Sequence, residues 1–473
     1  MLRMDAIGTA EMQAVLTAGP GAVTCVLTVS RCRSDNRTMD FEHSPHAQQL
    51  RRRLEDFIAR YVLPYNAAWH RSVQDGVYPP PFLEDLKALA RDEGLWNLFL
   101  PALGADEPGT RLSNLDYASL AEVMGRLHWA PEVFNCSAPD TGNMELLHRF
   151  ARGAQRTQWL DPLLHGEIRS AFAMSEPDVA SSDPTNLQTT VRRDGDQLVL
   201  NGRKWFITGA AHPQCKLLIV MCRNADAANE SAQPEKHAHR RHSMVLVPLN
   251  TEGVQVMRNI AVVHHHSPEG HCEIVLRDVR IGVDHLLGEW GEGFAMAQAR
   301  LGPGRVHHCM RAIGQCELAL ELATERTLER QAFGRYLSDF SNVQDWIAES
   351  RIEIDQARLL VLRVAWMLDQ LPGAVDAASL RAQVAAIKVV AARLQSRVVD
   401  RAMQVFGAMG LSPDTPLAFF WTWGRALHLM DGPDEVHLRT VARHELARGR
   451  ARAGATAAYF TTPEQLQALP RIR

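Results

Sequence analysis

Hydrophobic positions between residue 44 and about residue 167 recur at spacings of three and four. This spacing places apolar side chains on one face of an α-helix. A first stripe consists of Leu50, Leu54, Phe57, Ile58, Tyr61 and Val62. The pattern predicts further helices over residues 82–92, 115–127, 142–150 and 155–164. This part of the chain is therefore predicted to be helical.

The pattern changes at about residue 170, where short runs rich in Val, Ile and Leu alternate with turn residues. These runs are LVLNGRKWFITG, KLLIVMC, HSMVLVPL, GVQVMRN and CEIVLRDVRI. Short β-branched runs of this kind are typical of an antiparallel sheet or a small barrel. Between two of the runs lies the polar segment RNADAANESAQPEKHAHRRHS, which predicts a mobile loop.

After Gly291 the helical pattern returns with longer elements. One helix is predicted over residues 293–330, with a kink near Pro303 because proline removes a backbone hydrogen bond. Two long stripes follow and are joined by LPGAVDA, which favours antiparallel neighbours in a bundle. The stripes consist of Ile347, Ile354, Ala357, Val361, Val364 and Leu368, and of Leu380, Val384, Ile387, Ala391, Leu394 and Val398.

These patterns predict an α+β fold that is mostly α. We expect an N-terminal helical domain over residues 40–168, a middle β-barrel over 169–285 and a C-terminal four-helix bundle over 286–452. Residues 1–39 are predicted to be a disordered extension or to precede a true start at Met39, and residues 453–473 are predicted to be a tail.

Composition narrows the possible partners. The chain has 51 basic and 54 acidic residues and a net charge of −3, so no overall field attracts nucleic acid or an anionic membrane. No apolar run approaches the roughly 18 residues that a membrane helix needs. The eight cysteines form no CxxC pair, which is typical of reduced thiols in a cytoplasmic protein. Three adjacent histidines, residues 264–266, alternate faces on a strand, so we expect no metal site there.

Two segments carry candidate chemistry. In AMSEPDVASSD, the backbone amides and the hydroxyls of Ser175, Ser181 and Ser182 offer hydrogen bonds to a ring system and to phosphates. In NGRKWFITG, Phe206 and Thr208 project to the same side of a strand. Taken singly, these segments are better explained as an ordinary loop and as ordinary core packing.

Together the segments resemble the acyl-CoA dehydrogenase family, and the resemblance extends from about residue 41 to residue 446. The family's flavin loop, [ST]-E-P-x-x-x-S-S-D, matches residues 175–183, and its WIT-like strand corresponds to residues 206–208. Its RxxFG segment corresponds to RQAFG at 330–334, its QxxGGxG element to QVFGAMG at 404–410, and its E-G-T turn to DGP at 431–433. APDTGNMELL, LGPGRVHHCMR and DGPDEVH are similar to the subgroup of family members ten and eleven.

The resemblance implies FAD as the cofactor. The residues implied for FAD binding are Phe172, Met174, Ser175, Ser181, Ser182, Phe206, Thr208, Arg330, Phe333, Gln404, Gly407, Ala408, Pro433 and Glu435. Those from residue 330 to residue 408 would reach the flavin diphosphate from a neighbouring subunit. Ser182, Arg305, His307 and Gly432 are implied for the acyl-CoA substrate.

Asp431 stands where most of the family has its glutamate base. The aspartate side chain is shorter by one bond, about 1.5 Å. Some members place the base just before the arginine of the long helix, and that position is Gly304 here. An aspartate before glycine is otherwise a common turn residue. We expect burial to raise the pKa of Asp431 toward the working range of a base.

Three positions depart from the family pattern. Phe206 replaces a tryptophan, Ala408 replaces a glycine, and Pro433 replaces a threonine that would donate a hydrogen bond. These changes predict weakened retention of FAD during purification.

The resemblance implies that Asp431 removes the α proton while flavin N5 accepts a hydride from the β carbon. The product would be a trans-2-enoyl-CoA, with an electron-transfer flavoprotein as acceptor and a homodimer or homotetramer as the assembly. Two alternatives share the fold: a nitroalkane oxidase, which also uses aspartate, and a DNA-binding flavoprotein. Arg305 in LGPGR favours the CoA interpretation, and the lack of a dense basic run disfavours DNA binding.

Overall fold

A computed structural model describes residues 12–15, 18–19, 22–23, 26–29, 41–225, 241–370 and 376–462. The chain divides into two units, residues 1–42 and 43–473. In the first unit, β1 (Met12–Val15) pairs with β4 (Val26–Val29), and β2 (Ala18–Gly19) pairs with β3 (Ala22–Val23). The prediction of disorder for residues 1–39 otherwise lies outside the described residues. So do most of the predicted mobile loop, most of LPGAVDA and most of the predicted tail.

The N-terminal part of the second unit is helical, as predicted. Its helices are α1 (Pro45–Phe57), α2 (Asn66–Gln74), α3 (Phe82–Asp92), α4 (Asn114–Gly125), α5 (Ala130–Val133), α6 (Asp140–Phe150) and α7 (Asp161–Leu164). The Ser44 hydroxyl accepts a hydrogen bond from the Ala47 N–H, so the side chain caps the start of α1. The amphipathic stripe of α1 buries Leu50, Leu54 and Phe57.

A sheet forms the middle of the unit. Its strands are β5 (Arg169–Ala173), β6 (Thr190–Asp194), β7 (Gln197–Thr208), β8 (Cys215–Asn224), β9 (His242–Pro248), β10 (Val254–Asn259), β11 (His271–Gly282) and β12 (Leu286–Leu287). They pair in the order β10-β11-β7-β6-β8-β9-β12, and β5 pairs with β8. Most pairings are antiparallel, as predicted, but β8 runs parallel to both β5 and β6. Those two strands were missing from the sequence-based prediction.

The pairing of β7 with β11 is interrupted near the end of β7. Ile207 lies opposite Cys272 and Lys204 lies opposite Ile274, so Trp205 and Phe206 together face one residue, Glu273. Two residues opposite one is a β-bulge, which bends a strand and re-aims its side chains. Phe206 takes a φ of +51° at this bulge, and its ring is 41% exposed. The bulge therefore directs an aromatic ring away from the sheet core.

Long helices return after the sheet. They are α8 (Gly293–Glu329), α9 (Ser341–Asp369), α10 (Ala377–Phe406), α11 (Leu417–Leu427) and α12 (Asp434–Ala451). The helix α8 continues through Pro303, where the kink is predicted. A short hairpin of β13 (Gln331–Ala332) and β14 (Arg335–Tyr336) joins α8 to α9. The predicted succession of helices, sheet and helices is confirmed.

Two glycines set the crossing of α4 and α8. A Cβ atom on Gly314 would lie 2.0 Å from the Glu122 backbone oxygen, and one on Gly125 would lie 2.3 Å from the Arg311 backbone oxygen. Side chains of ordinary size would force the two helices apart. The crossing fixes the position of α8, which carries most of the cationic residues described next.

Candidate active site

Asp431 lies in the short connection between α11 and α12. Its φ is +53°, and the φ of the following Gly432 is +101°. The Asp431 backbone oxygen accepts hydrogen bonds from Arg305 Nε at 3.2 Å, from Arg305 Nη2 at 2.9 Å and from His437 Nε2 at 3.1 Å. A non-glycine residue at positive φ is strained and persists where its surroundings hold it. Arg305 and His437 supply that restraint.

The Asp431 carboxylate is 26% exposed and is surrounded by cationic groups. The imidazole of His308, on α8, places Nε2 3.6 Å from Asp431 Oδ2. Burial alone would raise the pKa of Asp431, but the charges of Arg305, Arg300 and Lys388, and that of His308 when it is protonated, hold that pKa below its usual range. The expectation that burial raises the pKa is therefore wrong, because the prediction did not include these cationic neighbours.

The two adjacent histidines of α8 occupy different environments. His307 is 2% exposed, and its ring packs edge-on against Tyr117 at 4.7 Å and Phe99 at 6.2 Å between centroids. Burial lowers the pKa of His307 well below its ordinary value. The structure thus places His307 in the core between α8 and the N-terminal helices. His308, which the family resemblance did not assign to the substrate, is the histidine beside Asp431.

Arg305 lies beside the loop that carries Asp431. Its guanidinium donates to the Asp431 backbone, as described above, and burial lowers the pKa of Arg305. The structure brings Arg305, Gly432 and Asp431 together, with Arg305 bound to the loop that carries the carboxylate. The sequence motif located this residue, but only the fold identifies its hydrogen-bond acceptor.

A buried ion pair lies beneath the predicted flavin loop. Lys204 Nζ on β7 donates to Glu176 Oε1 at 2.9 Å, to Met174 O at 2.9 Å and to Met221 O at 2.7 Å. The Glu176 carboxylate also accepts from Gln188 N at 2.7 Å and from Thr189 N at 2.9 Å. Burial lowers the pKa of Lys204. This pair ties both ends of the loop to the sheet.

Sequence reasoning missed Lys204 and Glu176 as site residues. A usable signal was present, since Lys204 is one of only five lysines in the chain and interrupts an apolar strand. A lysine at a buried strand position requires a partner.

The predicted flavin-contact residues of the sheet domain lie at the end of β5, in the loop that follows it and on β7. Phe172, Met174 and Ser175 follow one another at the end of β5, and the Ser175 backbone oxygen accepts from Trp205 N at 3.0 Å. The Thr208 hydroxyl lies 3.0 Å from His271 Nδ1. The Ser181 hydroxyl accepts from Glu176 N at 2.8 Å, so it braces the loop. The Ser182 side chain is exposed.

These residues fit a flavin. Phe206 presents an exposed aromatic ring, Thr208 presents a half-buried hydroxyl, and the braced loop presents Ser175 and Ser182. An open aromatic surface beside a few fixed polar groups is the usual character of a cofactor site.

A second set of predicted residues is exposed at the surface or half-buried. Phe333, at the tip of the β13–β14 hairpin, is 96% exposed. Arg330, Gln404, Gly407, Ala408 and Glu435 are also exposed, and Pro433 is half-buried at the start of α12. Gly407 ends α10 with a φ of +63°, which glycine adopts without strain.

A cavity of about 130 Å³ lies between the N-terminal helices, the sheet and the bundle. His308 and Met430 line it on the side of Asp431, and Trp423 and Phe419 line another wall. Its remaining wall is polar, because Arg169 pairs with Glu132 at 3.2 Å and the Tyr78 hydroxyl donates to Glu132 at 2.8 Å. The Arg169 charge, acting against burial, lowers the pKa of Glu132 to about 2.

Among the described residues, no group of three or more His, Cys, Asp or Glu side chains is placed to hold a metal ion. None of their helices combines the length and apolar character needed to cross a membrane.

Comparison with known proteins decides the family. The acyl-CoA dehydrogenase N-terminal, middle and C-terminal domain models match residues 44–167, 171–279 and 291–446. The chain belongs to the acyl-CoA dehydrogenase family. It is an oxidoreductase of this family, and FAD is the family cofactor.

Individual relatives agree with this assignment. The chain is 52% identical over 419 residues to "Probable acyl-CoA dehydrogenase FadE2" of Mycobacterium tuberculosis, covering 87% of this chain and 98% of the relative. It is 43% identical over 414 residues to human "Acyl-CoA dehydrogenase family member 11", covering 86% of this chain and 51% of the relative. The chain therefore spans about half the length of that longer protein.

A solved acyl-CoA dehydrogenase homologue from Mycobacterium abscessus has a similar structure. It superposes with a TM-score of 0.79 at 46% identity, covering 86% of this chain and 99% of the homologue. The predicted fold and family are thus confirmed.

Proposed function

We propose that this chain oxidises an acyl-CoA thioester to a trans-2-enoyl-CoA, with Asp431 as the base that removes the α proton. The observation that supports it best is the setting of Asp431. Its carboxylate is held anionic beside a cavity, on a loop whose backbone is fixed by Arg305 and His437.

The cationic groups around Asp431 serve the same chemistry in a second way. Proton removal next to a thioester places negative charge on the carbonyl oxygen. Arg300, Arg305 and Lys388 create a positive potential there, and fixed charges in a partly desolvated site stabilise such a developing anion. The low pKa weakens Asp431 as a base, and this potential offsets the weakness by making the α proton more acidic.

FAD, when bound, supplies the acceptor for the hydride that leaves the β carbon. We infer that Ser175 and Thr208 orient its ring and that Phe206 packs against it. The Lys204–Glu176 pair keeps the Ser175 loop in place for this contact.

We also infer a homo-oligomer, either a dimer or a tetramer. The bare ring of Phe333 and the exposed Arg330 and Gln404 would contact the cofactor bound by a second subunit. Electrons would then pass to an electron-transfer flavoprotein. A cytoplasmic location is supported by the described cysteines, which are free and buried.

The test is an anaerobic titration of the FAD-loaded protein with a panel of acyl-CoAs, followed by loss of the yellow flavin absorbance. The proposal predicts bleaching by at least one acyl-CoA and its loss in Asp431→Asn. Asp414→Asn is the matched control, because Asp414 is an exposed aspartate in the loop before α11. Full bleaching of the Asp431→Asn protein would exclude Asp431 as the base.

The nitroalkane oxidase alternative is tested in parallel. Oxygen uptake with nitroethane, without bleaching by any acyl-CoA, would replace the proposal with this alternative. A DNA gel shift at moderate salt addresses the remaining alternative.

A further inference from the structure

The base must lose the proton that it takes before it can act again. Asp431 is only partly exposed, and Arg300, Arg305 and Lys388 face it from α8 and α10. Arginine and protonated lysine have no lone pair to accept a proton. His437, from α12, uses Nε2 to donate to the Asp431 backbone oxygen. None of these four groups presents a free nitrogen to the Asp431 carboxyl group.

His308 meets this need among the described groups. Its Nε2 lies 3.6 Å from Asp431 Oδ2, so a small closing movement would bring the two atoms within hydrogen-bonding distance. The same imidazole lines the cavity beside Met430 and Arg311. One side chain thus lies beside both the base and the cavity.

His308 is also in a suitable charge state. Burial and Arg311 lower the pKa of His308 to about 4, while Asp431 opposes this change. The ring is neutral at physiological pH and can present a free nitrogen to the carboxyl group. Arg300 and Lys388 also face His308 and favour the neutral form, so a proton that arrives is released again.

We propose that His308 accepts the substrate proton from Asp431 and passes it to the cavity, which restores the anionic base. In the first step the Cα–H bond breaks and an O–H bond forms on Asp431. In the second, that O–H bond breaks and an N–H bond forms on His308. In the third, the imidazolium gives one proton to water, so that one proton enters and one leaves. This role rests on the function proposed above.

The experiment follows exchange of the α protons of 3-thiaoctanoyl-CoA with D2O by NMR, in the FAD-loaded protein. Sulfur replaces the β carbon in this probe, so no hydride can leave and only the proton steps are observed. We expect His308→Gln to slow exchange at least tenfold, because glutamine cannot carry a proton. In the same variant, the rate of single-turnover flavin bleaching by octanoyl-CoA, or by the acyl-CoA that bleaches the flavin best, should fall less than threefold.

Further variants separate a relay from a structural role. Added imidazole should restore exchange in His308→Ala, where it can enter the vacated space, and not in His308→Gln. His165→Gln, at an exposed histidine remote in sequence, should exchange like the wild type. If His308→Gln slows bleaching as much as exchange, His308 only orients Asp431 and the relay is refuted. Unchanged exchange in His308→Gln refutes it too.

A failure of the proposed function looks different. If Asp431 is not the base, Asp431→Asn will exchange α protons at the wild-type rate. If the His308 variants do not fold, the pKa of His308 can be measured instead, by following its ring NMR resonance against pH in the wild type and in Asp431→Asn. Replacing Asp431 by asparagine should lower the pKa of His308 further, since the carboxylate charge raises it. No change in that pKa would show that the two groups are not in contact and would overturn the relay.

Discussion

Replacing Lys204 by methionine should destabilise the protein and loosen the flavin loop. Methionine keeps most of the side-chain volume but removes the three hydrogen bonds to Glu176, Met174 and Met221. Lys204 is 0% exposed and Glu176 is 4% exposed, so the variant leaves a buried carboxylate without its cation. Removing one partner of a buried ion pair costs about 3–5 kcal/mol.

The lower end of that range is expected here. Glu176 keeps its two backbone hydrogen bonds, from Gln188 and Thr189, which partly compensate its charge. We therefore expect a loss of about 3 kcal/mol in the free energy of unfolding. FAD should also dissociate more readily, because Met174 and Ser175 lose their anchor.

Urea unfolding of the FAD-free protein measures the stability, and fluorescence titration measures FAD affinity. Lys216→Met is the matched control, since Lys216 lies on β8 with an exposed side chain. The double variant Lys204→Met with Glu176→Gln should lose less than the sum of the single losses, because it removes the uncompensated charge as well. A Lys204→Met protein within about 0.5 kcal/mol of the wild type, with unchanged FAD affinity, would refute the reasoning.

Three other predictions test different parts of the account. Gly314→Ala should lower the stability measured by thermal unfolding by about 1–3 kcal/mol, because the added Cβ would meet the Glu122 backbone. Gly449→Ala, whose Cβ would have no atom within 4 Å, should raise the stability by about 0.5–1 kcal/mol. Equal effects of the two substitutions would contradict the tight crossing of α4 and α8. The rate of flavin bleaching should remain level from pH 8 down to pH 5, since the pKa of Asp431 is depressed and the base stays anionic until the pH falls through that low value. A bleaching rate that halves near pH 6–7 would contradict this charge state. Pro433→Thr should add about 1 kcal/mol, because Pro433 is the N-cap of α12 and supplies no side-chain hydrogen bond there. It should also slow FAD loss on gel filtration, and a faster loss would contradict the role given to this position.

The sequence predicted the helices best where local spacing determines them. The predicted helix at residues 82–92 has the observed bounds of α3, whose buried residues Leu83, Leu86, Lys87 and Ala90 recur at helical spacing. The strands β5 and β6 were missed because each is short and because their parallel pairing with β8 joins distant parts of the chain. Sequence periodicity carries no information about such pairing.

Only those parts of the candidate site that belong to a sequence motif could be predicted. Asp431 and the flavin loop were found by their resemblance to a family pattern. The pKa of Asp431 was predicted in the wrong direction, because its cationic neighbours come from α8 and α10, more than forty residues away in the chain. His307 was chosen over His308 for a related reason, since only the crossing of α4 and α8 shows which of the two faces the aromatic core.

The central claim is that Asp431 removes the α proton. Single-turnover anaerobic bleaching, with the acyl-CoA that reduces the wild type fastest, compares the wild type, Asp431→Asn and Asp414→Asn at equal FAD content. Loss of a general base costs about 10²–10⁴-fold, so we expect the Asp431→Asn rate to fall by at least a hundredfold and the Asp414→Asn rate to match the wild type. An Asp431→Asn protein that bleaches within threefold of the wild-type rate would contradict the claim.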